Sequence, residues 1–396
     1  MSFQDRGTIN FLHASIGRGH PHYLDGIVES LPADRVGEVT DVFASTSGLG
    51  RAAWRAVRAV YMNGGRGGWR SLLYNRLRAA GDYNRPGPVQ VIMGRALREK
   101  YVKDPEPLVV AHPLLAAILR GKPNLFYQHG ELAAPRECWV EGGQRICVPL
   151  PQTADVFLAA GFDASQLFVS GLCIEPALVA QAEGAFAVRA ERLAGNEPLC
   201  GGYFSSGAEP RPHVESLARA AASAVAAGGH AVIVARRSGQ LASQVTRHFA
   251  AGACELQTLI DPLDLPPDLP PALLCIYDDR RELNEYTARL FGRFDYFVSP
   301  AHERSHWALG VGLPMFVTEP VIGSYASANR EFVLAASVAE VIPDPQAATR
   351  HGDRLGELRR TEGLQAMARA GWGRHEIRGF ANIAEMLLGS GVQGLP

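Results

Sequence analysis

Residues 11–31 read FLHASIGRGHPHYLDGIVESL. An apolar run ends at His13, a loop carries Gly17 and Gly19, and His20 opens a segment of helical period, HYLDGIVESL. A strand that passes through a glycine-containing loop straight into a helix is the first part of a βαβ unit, and βαβ units build parallel sheets.

The same alternation continues outward along the chain. Strand candidates TINFLHAS, EVTDVF, PLVVAH, NLFYQH, RICVPL and LFVSG occupy the first half, with helical stretches such as QTADVFLAAG between them. LCGGYFS, HAVIVAR, LLCIY, YFVSP and PMFVTE follow in the second, again separated by helices such as HVESLARAAASAVAAGG. The expected fold class is therefore α/β, with two doubly wound halves: residues 1–176 and residues 198–372. The Ala-rich polar stretch 177–197 is read as their connection, and the Pro-rich stretch 261–271 as a surface loop within the second half. No repeat of fixed period relates the halves.

With 396 residues the chain exceeds what one hydrophobic core usually holds, which agrees with two domains. Its 47% hydrophobic and 20% charged residues are ordinary for a globular protein. A formal net charge of -1 gives no overall attraction to nucleic acid, so a charged partner must be met by a local patch. Cys138, Cys147, Cys173, Cys200, Cys254 and Cys275 are scattered, without a C-x-x-C pair, and read as buried thiols of a reducing compartment. The first residues lack the apolar stretch of about seven that a signal peptide needs, and no uncharged apolar run reaches roughly 18 residues. A cytoplasmic protein is expected.

The chemistry is read from three loops. A helix N-terminus offers unpaired N–H groups and a positive dipole end, and glycines let an anion approach that backbone closely. The loop of Gly17 and Gly19 has this form, but it lacks the third glycine of a dinucleotide fingerprint. His20 stands where α/β ligands bind and where a base near neutral pH is useful, and is the candidate catalytic base. His112 and His129, at the ends of two further first-half strands, are the next candidates. In the second half PLCGGYFSSGAEPRPHVESLARA sets Gly202, Ser205, Ser206 and Gly207 before a long helix, a composition suited to a diphosphate. Purely structural turns are the competing reading of both loops. The third loop, Glu319 to Ser327, follows a crossover through residues 296–318. No D-x-D cluster lies at a strand end, and Asp278-Asp279 followed by Arg280-Arg281 reads as a surface turn, so no metal is expected.

Taken together, these segments resemble the GT-B glycosyltransferases of family 28: the monogalactosyldiacylglycerol synthases, the processive diacylglycerol glucosyltransferases and the N-acetylglucosaminyltransferase that makes lipid II. The likeness rests on Gly17-Arg18-Gly19-His20, on ADVFLAAGFDASQLFVSGLCIEPAL with Gly171, on Gly201 to Gly207, and on Gly312-Leu313-Pro314 with Pro320-Val321-Ile322-Gly323. It implies two Rossmann-like domains facing across a cleft, an acceptor domain first and a donor domain second, with a final helix in 373–396 packing back on the first. It also implies an inverting, metal-independent transfer of a hexose from a nucleotide-sugar, UDP-linked, to a lipid or other hydroxyl acceptor, with no cofactor beyond that cosubstrate. His20 would be the base, with Gly17 and Gly19 beside phosphate or acceptor. Ser205, Ser206 and Gly207 would face the diphosphate, and Gly323 and Ser324 the sugar or phosphate. The chain departs from the pattern where relatives carry Ser/Thr-Glu for the ribose: His306 and Trp307 stand there, with Glu303 as the substitute carboxylate. Ile322-Gly323-Ser324-Tyr325 stands in place of P-G-Q-E. A nucleotide-sugar 2-epimerase and an inactive nucleotide-sugar-binding protein remain as alternatives.

One patch stands apart. From Val42 to Gly81 there is no acidic residue, yet Arg51, Arg55, Arg58, Arg66, Arg70, Arg76 and Arg78 lie among Trp54, Val57, Tyr61, Trp69, Leu72, Leu73, Tyr74 and Leu77. Such interleaving suits an anionic membrane surface, at roughly 1 kcal/mol per Arg near the headgroups. Residues 51–78 are thus expected to give peripheral contact with the inner face of the membrane; a nucleic-acid surface lacks a reading module, and a solvated face over a core helix is the alternative.

Overall fold

The computed structural model describes residues 7–16, 19–64, 82–143, 145–252 and 254–389, apart from the Ser324 side chain. Two sheets form, and every strand pairing in them is parallel. The first contains β1 (Ile9–His13), β2 (Val36–Asp41), β3 (Leu108–Val110), β4 (Leu125–Gln128), β5 (Arg145–Val148) and β6 (Leu167–Val169), in the order β2-β1-β3-β4-β5-β6. The second contains β7 (Cys200–Phe204), β8 (His230–Arg236), β9 (Gln257–Leu259), β10 (Ala272–Tyr277), β11 (Tyr296–Ser299), β12 (Met315–Thr318) and β13 (Ala339–Ile342), in the order β13-β12-β11-β7-β8-β10-β9.

Both faces of each sheet are covered, which is why the inner strands read as unbroken apolar runs. Successive side chains point to opposite faces. Phe11 and Val109 enter one core with Leu24 and Ile27 of helix α1 (Gly19–Ser30), while Leu12 and Val110 enter another with Trp54 of α2 (Gly48–Gly64) and Leu97 of α3 (Pro88–Tyr101). Edge strands β9 and β13 escaped the sequence reading because an edge pairs on one side only and needs no apolar run; Gln257 and Thr258 are exposed.

The stretch expected to be a connection is instead mostly helix α4 (Ala182–Ala194), packed on the second domain. Buried Arg189 explains it: its Nε donates to the Phe294 carbonyl at 2.9 Å and its Nη1 to those of Val311 and Gly312 at 2.9 and 3.2 Å. Beyond it lie α5 (Arg211–Ala226), α6 (Ser305–Gly310), α7 (Ser324–Ala335) and α8 (Gly379–Leu388). α8 returns to the first domain, its Phe380 ring filling the place where a Cβ on Gly26 of α1 would stand 2.3 Å away. The two domains are thus linked by two chain crossings, and these meet: Leu172 N–H donates to the Glu376 carbonyl at 2.7 Å, and Gly379 N–H to that of Leu172 at 3.0 Å.

Trp54 corrects the surface reading of the arginine-rich segment. It is fully buried, with its indole N–H on the Met93 carbonyl at 3.3 Å, so it anchors α2 to α3 rather than facing outward. Arg55 and Arg58 are exposed on the same helix, and half-buried Arg51 donates to the Thr46 carbonyl at 2.7 Å. Arg66, Arg70, Arg76, Arg78, Trp69, Leu72, Leu73, Tyr74 and Leu77 lie outside the described residues. Among the described residues no helix is long and apolar enough to cross a membrane.

Candidate active site

Strand order locates the site. In the first sheet the chain leaves β1 toward β2 on one side and reaches β3 on the other; in the second, β7 has β8 on one side and β11 on the other. Ligands of open α/β sheets bind at such reversal points, outside the carboxyl ends of the strands. The two reversal points here are the ends of β1 and β3, where His20 and His112 stand, and the ends of β7 and β11, where Ser205 and the segment 300–304 stand.

At the first, His20 Nδ1 lies 2.9 Å from the Ala111 carbonyl. A carbonyl can only accept, so Nδ1 carries the hydrogen and Nε2 is the basic nitrogen. The His20 ring lies on that of His112, centroids 4.3 Å apart. His112 caps the helix that begins at Pro113, its Nδ1 accepting from Leu114 N–H at 3.1 Å. His129 is excluded from the role held in reserve for it. Its Nε2 donates to the Ala133 carbonyl at 3.0 Å, its Nδ1 takes the Tyr127 hydroxyl at 3.2 Å, and burial pushes its pKa down to about 4. Gly19 is the first residue of α1, and Gly17 lies outside the described residues.

At the second reversal point the loop after β7 holds Ser205, Ser206 and Gly207, all half-buried. Gly202 is not in that loop. It lies inside β7, where a Cβ would stand 2.8 Å from the Phe204 ring and 3.2 Å from that of Phe294, so its small size serves the packing of the sheet rather than a ligand. The loop ends on Glu209, whose carboxylate caps the helix Gln240–Ala250, accepting from Gln240 N–H and, at 3.2 Å, from Leu241 N–H. Gly323, at φ 100°, is the N-cap of α7, with open space where a Cβ would point.

The departures at 306 and 307 have a structural cause. His306 Nδ1 accepts the N–H of Cys173 at 2.9 Å, so its hydrogen is on Nε2, and burial pushes its pKa down to about 3. Trp307 donates its indole N–H to Glu175 at 2.9 Å. Both are buried and hold the domain crossover; neither is a carboxylate, and the His306 Nε2 hydrogen has no partner among the described residues. Gly171 belongs to the same crossover: at φ 95°, a Cβ on it would stand 2.7 Å from the Glu376 side chain. Glu303 is buried and paired with Arg304 at 3.2 Å. Asp279 caps the helix that begins at Arg280, and Arg280 reaches across the cleft to Asp25 at 2.8 Å, so this turn ties the domains rather than lying idle on the surface.

Four buried cleft residues were missed by the sequence reading. Asn329 of α7 donates to Glu131 of the first domain at 3.0 Å, and Tyr23 of α1 lies between the domains, its ring centroid 6.3 Å from that of His306. Burial, with the Glu131 and Glu303 carboxylates beside it, holds the Tyr23 phenol well above its ordinary pKa. Arg304 is the fourth. An acid directly after a strand, as Glu131 follows β4 in QHGEL, was the one available signal.

At the carboxyl edge of the second sheet several buried side-chain atoms lack a hydrogen-bond partner among the described residues: Ser205 Oγ, His213 Nδ1, Arg304 Nε, Ser305 Oγ, Thr318 Oγ1 and Asn329 Oδ1. Each such atom costs about 1–3 kcal/mol when buried dry, so their gathering at a strand-order reversal marks a place for a polar ligand. Among the described residues no group of three or more His, Cys, Asp or Glu could hold a metal ion.

Compared by sequence, the chain matches no family model and no curated protein. Compared by structure, it is similar to MnaA of S. aureus in its UDP co-structure, with a TM-score of 0.56 and 10% identity, covering 95% of this chain and 94% of that one. The UDP-GlcNAc 2-epimerase from Neisseria meningitidis bound to UDP-GlcNAc also has TM-score 0.56 and 10% identity, over 96% and 98% of the two chains. The glycosyltransferase of kitacinnamycin has TM-score 0.50 and 14% identity, over 96% and 97%. At these identities the likeness is one of fold: an α/β chain of two Rossmann-like domains in the GT-B arrangement.

Proposed function

We propose that the cleft binds a UDP-sugar and that the protein is an inverting hexosyltransferase needing neither a metal nor a cofactor beyond that cosubstrate. The observation that carries this reading is the set of buried, partnerless polar atoms at the second reversal point, facing a first-domain reversal point that holds His20. His20 Nε2 takes the proton of the acceptor hydroxyl as the acceptor oxygen joins sugar C1 and the C1–O bond to phosphate breaks. UDP leaves as an anion, met by hydroxyl and N–H donors of residues 205–207 and 304–305. The family 28 motifs favour a lipid acceptor.

One observation favours a 2-epimerase as a second reading. Inverting a sugar carbon requires proton removal from one face and return to the other, and two carboxylates from different domains, Glu131 and Glu303, both lie near Tyr23. UDP-hexoses incubated in D₂O separate the two. The transferase releases UDP only when a hydroxyl acceptor is added and leaves C2 unlabelled. Deuterium at C2 without acceptor overturns it in favour of the epimerase, and binding with neither outcome identifies an inactive binding protein.

We also propose peripheral contact with an anionic membrane through the exposed Arg55 and Arg58 face of α2, which Trp54 does not join. Vesicles with anionic lipid should sediment the protein, less so as salt screens charges beyond about 8 Å. Equal sedimentation with neutral vesicles would remove the electrostatic part.

A further inference from the structure

We infer that Arg304 is the cation that grips the diphosphate of the bound ligand, an assignment that rests on the nucleotide-sugar reading of the same cleft. Its side chain is buried, with only 4% exposed, an unusual place for a permanent charge. Two aromatic faces hold it, Phe204 with the guanidinium carbon 4.5 Å from the ring centroid and Trp307 at 5.3 Å. Such faces fix a planar cation without competing for its hydrogens. One edge is answered by Glu303, whose Oε1 accepts from Nη1 at 3.2 Å. The Nε hydrogen is answered by nothing among the described residues.

Burying a charge costs several kcal/mol unless its hydrogens are satisfied; Arg189, Arg330 and Arg359 also carry a buried unanswered nitrogen, so what sets Arg304 apart is the place and the neighbours of its Nε. Arg189 is held differently: its Nε and Nη1 donate to the three carbonyls of Phe294, Val311 and Gly312, and its Nη2 alone is unanswered among the described residues. Among the described residues Arg304 has no backbone carbonyl of that kind as a partner. It stands instead at the β7/β11 reversal point, with its guanidinium on the ring of Phe204, the last residue of β7. The next residue, Ser205, and the residue after Arg304, Ser305, each carry a buried hydroxyl without a partner. A guanidinium N–H and two hydroxyl donors, all unanswered, suit the oxygens of a phosphate, which Arg meets with a planar fork and high charge-assisted strength.

The test is calorimetry of UDP, uridine and inorganic pyrophosphate with the full chain and with Arg304→Gln and Arg304→Lys. Because removing the guanidinium takes a cationic partner from the buried Glu303 carboxylate, Arg304→Lys, which keeps a cation for it, serves as the folding control. UDP and pyrophosphate should weaken about 10- to 100-fold in Arg304→Gln, the loss of one or two charge-assisted hydrogen bonds, and by a smaller factor in Arg304→Lys. Uridine affinity should stay within about 3-fold in both folded variants, roughly 0.6 kcal/mol. UDP bound equally by all three proteins overturns the assignment and leaves the nucleotide reading standing. Equal losses for uridine and UDP also overturn it, since they report a distorted pocket. Pyrophosphate bound in an Arg304-dependent way, with UDP no tighter and uridine unbound, upholds Arg304 and overturns the nucleotide reading. A full chain that binds neither UDP nor pyrophosphate overturns both.

Discussion

His20→Ala is expected to lower turnover by about 10²- to 10⁴-fold while leaving UDP-sugar affinity nearly unchanged. The asymmetry follows from where the residue stands. His20 is at the first-domain reversal point, with Nδ1 tied to the Ala111 carbonyl at 2.9 Å, whereas the unanswered donors that suit the nucleotide belong to the second domain. A base acts on the acceptor proton only as the bond forms, so its loss appears in turnover and not in donor binding. The pH profile supplies an independent readout. The base must be neutral to accept a proton, so the rate should fall as pH drops through its titration, and this acid limb should vanish in His20→Ala. A surviving limb, with a raised KM for acceptor and little change in turnover, would reduce His20 to a contact for the acceptor. His129 cannot supply that limb, because both its ring nitrogens are engaged and burial holds its pKa near about 4.

A steep loss of stability between about pH 6.5 and pH 4 is the second large effect expected. Burial pushes His129 and His213 down to about 4, and His306 and His351 down to about 3. In the unfolded chain each returns to about 6.5. Below that value the unfolded state binds protons that the folded state refuses, so stability is complete above about pH 6.5 and falls as the pH falls toward the folded values. Each histidine contributes a slope of about 1.4 kcal/mol per pH unit, and four together about 5.5, against a total stability of ordinarily about 5–15 kcal/mol. Urea unfolding at pH 7.5, 6 and 5 would show it as a falling midpoint. His351 gives the control: it is buried beside Phe316, centroids 4.6 Å apart, away from the cleft. His351→Phe should remove about a quarter of the slope without touching nucleotide binding. An unchanged midpoint between pH 7.5 and pH 5 would sink the expectation.

Much of the fold was legible in the chain. The inner strands announce themselves because a parallel sheet covered on both faces needs continuous apolar runs, as in PLVVAH and HAVIVAR. The glycine loop before HYLDGIVESL was legible for a related reason, since a strand must turn sharply to enter a helix there. What stayed hidden follows from contacts between distant residues. Trp54 reads as a membrane anchor beside its arginines, yet its indole meets Met93 of a helix whose place no local pattern states. Gly202 reads as part of a phosphate loop, yet the rings of Phe204 and Phe294 decide its role. Residues 182–194 read as a polar connection, yet one buried arginine binds them to three carbonyls of the second domain.

By itself, then, the sequence determined the α/β class and the loops at the carboxyl edges, and it offered His20 as the candidate base, because periodicity, glycine and helix-start signals are properties of neighbouring residues. Only the tertiary structure decided which loops share a reversal point and which polar side chains meet across the cleft. Asn329 reaches Glu131 over a separation of 198 residues, and His306 reaches the Cys173 N–H over 133. Burial, which keeps His306 neutral at the crossover and sets Arg304 between two rings with an open Nε, arises from the packing of two domains against each other, and no local stretch of chain contains it.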